Sequence, residues 1–269
     1  MMKNLKIVKG FFAASWLAVC LPGYALTNST PHVYPSGVNV ALQIGSDLYD
    51  SLEAKYRNKL QTPPICAVPK DAPEMALTEN NGVNKTLGQI SLSVGFVDLI
   101  NHIAHAKAID HIQHGYFEKY MSGFGQEAAV GTAMEAPTIS EDRYWTDEVM
   151  NDQASYFNQM MGLTMAINLS HHYLGQFEKY AGQMQAGKPV AINNYLTETE
   201  WDTGVRAAVL NSLQCAFATE GAKALFDAIG KMPHRPAWTA YIVPQNTDIK
   251  KLNKQLAKYE VAFFRGELN

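Results

Sequence analysis

Charge, cysteine and long apolar runs are all in short supply in this chain of 269 residues, and each shortage closes off a class of function. Charged residues make up only 17%, against 47% hydrophobic, so neither a disordered chain nor the basic surface that binds nucleic acid is encoded. Cysteine occurs three times, without the Cys-x-x-Cys-His spacing of covalent haem. Also missing are a Gly-x-Ser-x-Gly nucleophile elbow, a phosphate-binding glycine loop, the His-Glu-x-x-His zinc helix and the Glu-x-x-His pair of di-iron bundles.

The one candidate membrane segment, the apolar run Phe11 to Leu21, is too short to span a bilayer comfortably. Lys3, Lys6 and Lys9 precede it and Pro22-Gly-Tyr-Ala25 follows, which is the pattern of a secretory signal peptide cleaved near Ala25. Residues 1–25 are therefore read as the signal and 26–269 as a single domain, exported to the periplasm or secreted, with no transmembrane segment. A lipoprotein box at Leu17-Ala-Val-Cys20 competes with this reading, but Val19 stands where a small residue is required. Removing the three lysines leaves 19 basic against 25 acidic residues, a net charge of −6 instead of −3. An acidic surface argues against polyanionic partners and leaves small molecules, peptides and glycans as candidate substrates. Export would place Cys66 and Cys215 in an oxidising compartment, where an isolated pair is expected to form a disulfide; two separate buried thiols are the alternative.

Helical periodicity dominates what is present. Leu42, Ile44, Leu48, Leu52, Tyr56 and Leu60 predict a first helix from Val38 to about Leu60, stopped by Pro63-Pro64. Residues 61–86 carry four prolines and predict a long loop held at Cys66. Leu87 to Tyr120 predicts a long helix, and 126–145 a second connection. Thr146-Asp-Glu-Val caps a helix running to about Met184, and Thr197-Glu-Thr-Glu200 is a capping box for another that ends at Gly230. Thr239 to Val243 reads as one short strand, and Thr247 caps a last helix to about Phe264. The sum is an all-α, single-domain bundle of four to five helices, three of them long, with long loops.

Chemistry is sought where a polar residue falls in phase with the apolar stripe of its helix, because such a residue points inward. At 100° per residue, His171 shares a face with Met160, Thr164, Ile167 and Leu174, and Glu178 follows on that face. His172 turns towards the side of Met161 and Met165. His102 and His105 fall with Ile109, Ile112 and Tyr116, and Glu220 with Val209, Leu213, Phe217 and Ala224. Three imidazoles and a carboxylate on three helices form a ligand set for a divalent ion, zinc first, with iron or manganese next.

The expected function is an exported metal-dependent hydrolase. His171, His102, His105 and Glu220 hold the metal, and Glu220 or, at the edge of the site, Glu178 takes the proton of a metal-bound water. His172 orients the substrate and Asn168 polarises its oxygen. Two other readings stand beside it: a non-catalytic metal- or haem-binding envelope protein, and a structural bundle whose core histidines are satisfied by hydrogen bonds. Much of the His171 stretch occurs earlier as His111-Ile-Gln-His-Gly115-Tyr-Phe117-Glu118-Lys-Tyr120, either a duplicated helix end or a solvated coincidence.

Overall fold

The computed structural model describes residues 34, 36–78, 88–124, 136–183, 191–232 and 234–268, all within one compact unit, Tyr34–Asn269. The predicted signal peptide, and most of the polar leader after it, lie outside these residues. No helix among the described residues is long and apolar enough to cross a membrane.

The architecture is mostly helical, with one small sheet. In chain order come α1 (Gly37–Ser51), α2 (Ala54–Arg57), β1 (Leu60–Val68), β2 (Met75–Thr78), β3 (Gly88–Ser93), α3 (Val94–Ile112) and α4 (Tyr116–Ser122). They are followed by α5 (Asp147–Tyr173), α6 (Gln176–Tyr180), α7 (Glu198–Gln214), α8 (Glu220–Lys231) and α9 (Ile249–Phe264), so the described helices outnumber the four or five expected.

The bundle is built around α5. Thr146 caps it by accepting from the Val149 amide, and Asp147 and Glu148 in its first turn complement the helix dipole. Every residue from Met160 to Tyr173 is buried, because α1, α3, α7 and α8 all pack against this helix. A helix enclosed on all sides occupies the middle of a bundle, and its buried polar residues must find partners there.

The sheet corrects the expectation of a purely helical chain. Its strand order is β1-β3-β2, with β1 parallel and β2 antiparallel to β3. Ile65 pairs with Ile90, and Met75 with Leu92, all buried. The expected loop 61–86 thus contains two strands. The expected helix from Leu87 contains a third, in which buried Ile90 and Leu92 alternate with half-buried Gln89 and Ser91. That period of two is short and runs directly into α3, whose N-cap is the last strand residue, Ser93, accepting from the Phe96 amide at 3.0 Å.

Four expected helices are interrupted. The first, Val38 to about Leu60, breaks where Leu52 takes an extended conformation (ψ 147°) between α1 and α2, and Leu60 already belongs to β1. Gly115 and Gly175, with φ of 82° and 79°, separate α3 from α4 and α5 from α6; the left-handed conformation there suits glycine. The expected helix from Thr197 to Gly230 breaks after α7. Ala216 takes φ 60°, and the amides of Ala216 and Phe217 bond back to the carbonyls of Leu213 and Ser212 at 3.1 and 2.9 Å. This is a Schellman stop with alanine in the place usually held by glycine, which hides the break from a search for Gly or Pro. The capping box at Thr197 and Glu200 forms as expected.

Residues 237–241 form a short 3-10 turn in place of the expected strand, and Asp248, not Thr247, caps α9. Cys66 and Cys215 are free thiols, so the expected disulfide is not made. Cys215 instead turns its sulfur to the Asp47 carbonyl and Ser51 hydroxyl of α1, at 3.3 and 3.2 Å.

Candidate functional site

The four histidines expected at the site fall into two pairs, His102 with His105 on α3 and His171 with His172 on α5. His105, fully buried on α3, donates from Nε2 to the Tyr144 carbonyl at 2.6 Å and accepts at Nδ1 from the Tyr34 hydroxyl at 2.7 Å. A carbonyl cannot donate, so the Nε2 proton follows from the geometry. Trp145 packs edge-on at 4.4 Å. His102, one turn away, is half-buried with Nδ1 unpartnered, and burial, then the nearby His105, lowers its pKa to about 4.

His171 and His172, the other pair, lie in the last turn of α5. Burial holds them neutral, with pKa lowered to about 4 and about 3 respectively. His172, expected to turn away from the stripe, is also buried, against Phe177 at 4.8 Å. On a helix enclosed from all sides the phase of a residue does not decide whether it is buried.

Among the described residues, no three His, Cys, Asp or Glu side chains are placed to share a metal ion. Glu220 is not inward: it is the exposed first residue of α8, because the break at 215–219 resets the phase counted from Leu213. Glu178 is exposed on α6. Asn168 is buried, but its amide nitrogen donates to the Thr164 and Tyr241 carbonyls at 2.9 and 3.0 Å, tying α5 to the 3-10 turn. Of the expected set, the structure brings together His102 with His105, and His171 with His172, and no others.

The surroundings of His171 are more specific. Gly204 lets α7 approach so closely that a Cβ there would lie 2.5 Å from His171 Cε1. Gln176 donates from Nε2 to the Glu200 carbonyl at 2.9 Å, so its Oε1 is the atom facing His171 Nδ1 at 2.5 Å. That oxygen can only accept, and Nδ1 therefore carries the proton. In the neutral ring Nε2 is then a bare acceptor, and it has no partner.

Asn193, in the 3-10 turn Ile192–Asn194, is close enough to the ring to favour its charged form, although no hydrogen bond of ordinary geometry joins the two. Its Nδ2 donates to the Ala240 carbonyl at 2.9 Å, which leaves Oδ1 as a second acceptor, also buried and unpartnered. Two acceptors left bare at one place call for a donor, since burying a polar atom without a bond is costly.

Glu200 organises the wall beside this pair. Burial alone would raise its pKa, but bonds from Lys179, Thr197 and Tyr180 outweigh that and hold it at about 2. Lys179 Nζ lies 2.6 Å and Tyr180 Oη 2.8 Å from the carboxylate, so the Phe-Glu-Lys-Tyr segment latches α6 onto the start of α7.

Asn193 and Trp201 also line a groove of ≈ 560 Å³. Its walls are the start of α7, the 244–248 loop and the start of α9, with Asn194, Gln245, Asn246 and Thr247 among the polar lining. Arg235 shapes the loop by donating to the Pro244, Gln245 and Thr247 carbonyls at 3.2, 2.6 and 3.1 Å. Glu198, Asp202 and Asp248 line the groove against one cation, Lys251, which is paired with Glu198. The expected site residues did not include Asn193, Trp201 or the loop; the signals available were Asn193-Asn194 and the polar run Gln245 to Asp248 between two apolar stretches. The chain matches no protein-family model, no curated protein and no solved structure.

Proposed function

We propose that the protein is an exported, non-catalytic binding protein that takes a polar, neutral or cationic small molecule, of the glycan or amino-sugar class, in the groove between α7 and α9. The observation that carries this reading is the amide- and hydroxyl-rich lining of the groove, Asn194, Gln245, Asn246 and Thr247. Ligand hydroxyls or an ammonium would pair with these side chains. Amide and hydroxyl side chains are suited to sugar hydroxyls, and the carboxylates Glu198, Asp202 and Asp248 disfavour phosphates and uronic acids. Export rests on the basic, apolar and small-residue pattern of residues 3–25.

The test is titration calorimetry with neutral oligosaccharides, amino sugars and uronic acids on wild type, Asn194→Ala and Asn246→Ala. Both asparagines are exposed, so the fold should tolerate the changes. Saturable binding of a neutral or amino sugar, weakened roughly fivefold by each substitution, is expected for the loss of one hydrogen bond. No binding across the panel, or binding indifferent to both variants, would overturn the reading.

One observation favours a second reading, a metal-dependent hydrolase with a smaller ligand set than expected from sequence. A cation between His171 Nε2 and Asn193 Oδ1 would also satisfy both acceptors. Elemental analysis of the purified protein, with His171→Phe as control, tests it. Stoichiometric zinc, iron or manganese lost in the variant supports it; metal content equal in the two proteins refutes it.

A further inference from the structure

The last helix leaves one face uncovered, and that face carries charge of a single sign. α9 buries Ile249, Leu252 and Leu256 and turns Lys250, Lys254, Lys258, Val261, Phe264 and Arg265 to the outside. At 100° per residue these six lie within about 120° of one another. No acid shares the sector. Glu260 turns aside to Lys223 at 2.6 Å, Asp248 is taken up capping the helix, and Glu267 lies beyond its end. Lys251, at the edge, is paired with Glu198. Phe264 is 75% exposed and Val261 49% exposed, so two large apolar side chains stand in water among the cations.

We infer that this face of α9 docks on an anionic lipid surface, with Phe264 and Val261 entering the interface and Lys254, Lys258 and Arg265 lying at the level of the phosphates. Charge complementarity and the apolar end point to the same occupant. Point charges one turn apart along a convex helix match a diffuse planar anion layer, whereas a single phosphate needs donors that converge on it. An acidic protein surface would neutralise the lysines but offers Phe264 no apolar phase.

The inference does not depend on the groove, which meets α9 through Lys251, Leu252 and Gln255, roughly a third of a turn round the helix.

The experiment is sedimentation with vesicles of phosphatidylcholine alone and of phosphatidylcholine mixed with phosphatidylglycerol. It uses the chain from residue 26 onward, which contains the whole compact unit. Wild type, Phe264→Ser and the double variant Lys254→Glu/Lys258→Glu are compared at low and high salt, with circular dichroism to establish that each is folded. Wild type is expected to bind only the anionic vesicles and to be released by salt. The double variant should bind at least roughly tenfold more weakly, and Phe264→Ser about tenfold more weakly. Absence of binding to anionic vesicles overturns the inference, as does binding unchanged in either variant. Equal affinity for soluble polyphosphate, competing with the vesicles, would assign the lysines to a free anion and overturn the lipid assignment.

Discussion

His111 to Tyr120 and His171 to Tyr180 end their helices in the same way and differ in what surrounds them. In both, a glycine in the left-handed conformation stops one helix and opens a short second one. In both, the Phe and Tyr are buried while the Glu and Lys face water. The repeat therefore encodes a turn. The histidines show how much remains undetermined by it. His111 has half its side chain in solvent and both nitrogens bonded, to Asp152 at 3.0 Å and to Tyr156 at 2.8 Å. His171 is fully buried and keeps one nitrogen bare. α3 ends at the rim of the bundle, whereas α5 ends inside it, beneath α7.

The comparison is most sharply tested by truncating the two histidines. His171→Ala should cost about 2–5 kcal/mol by opening a cavity in the core, and His111→Ala about 0.5 kcal/mol or less as a surface change. Urea unfolding measures both, and equal losses would mean that the two sites are equally packed. Next comes pH. His171 and His172 have folded pKa values below the ordinary 6.5, so their contribution is complete above about pH 6.5. It declines as pH falls towards about 4 for His171 and about 3 for His172, because the unfolded chain takes up the proton first. The His171 part amounts to roughly 3 kcal/mol. His171→Phe should flatten that slope; an unaltered urea midpoint against pH would show that His171 is not held neutral.

Gly204→Ala should cost about 1–3 kcal/mol, as its methyl meets the His171 ring. A thermal melt reads this, and a neutral result would mean that α7 can move off α5. The smallest difference between the two copies is expected at their glycines. Gly115→Ala and Gly175→Ala should each lose about 1–2 kcal/mol from the left-handed backbone alone, since no atom lies within 4 Å of either added Cβ. A loss at Gly175 well above that at Gly115 would show that burial does penetrate the turn.

Much of the helical framework was legible, because its signals are local. Thr146 and Thr197 cap helices where their spacing to Val149 and Glu200 says they should. β3 was not legible, since a short alternation fused to a helix start is outweighed by the longer helical window. Glu220 was placed inward because a Schellman stop at Ala216 carries no Gly or Pro to announce it. For His171 the sequence foretold burial correctly, but its expected partners on α3 and at Glu220 were assembled from face angles alone, and an angle on one helix does not say which neighbour it meets.

By itself the sequence determined where several helices begin and that a turn is written twice. Those features depend on residues within a turn or two of one another, where sterics and single hydrogen bonds decide. Tertiary structure alone decided that Gln176 sets the His171 tautomer, that the Asn193 side-chain nitrogen is turned to the Ala240 carbonyl, and that two acceptors are consequently left bare beside a polar groove. A hydrogen bond is assigned by whatever the packing brings within about 3 Å, and that cannot be counted along one chain segment.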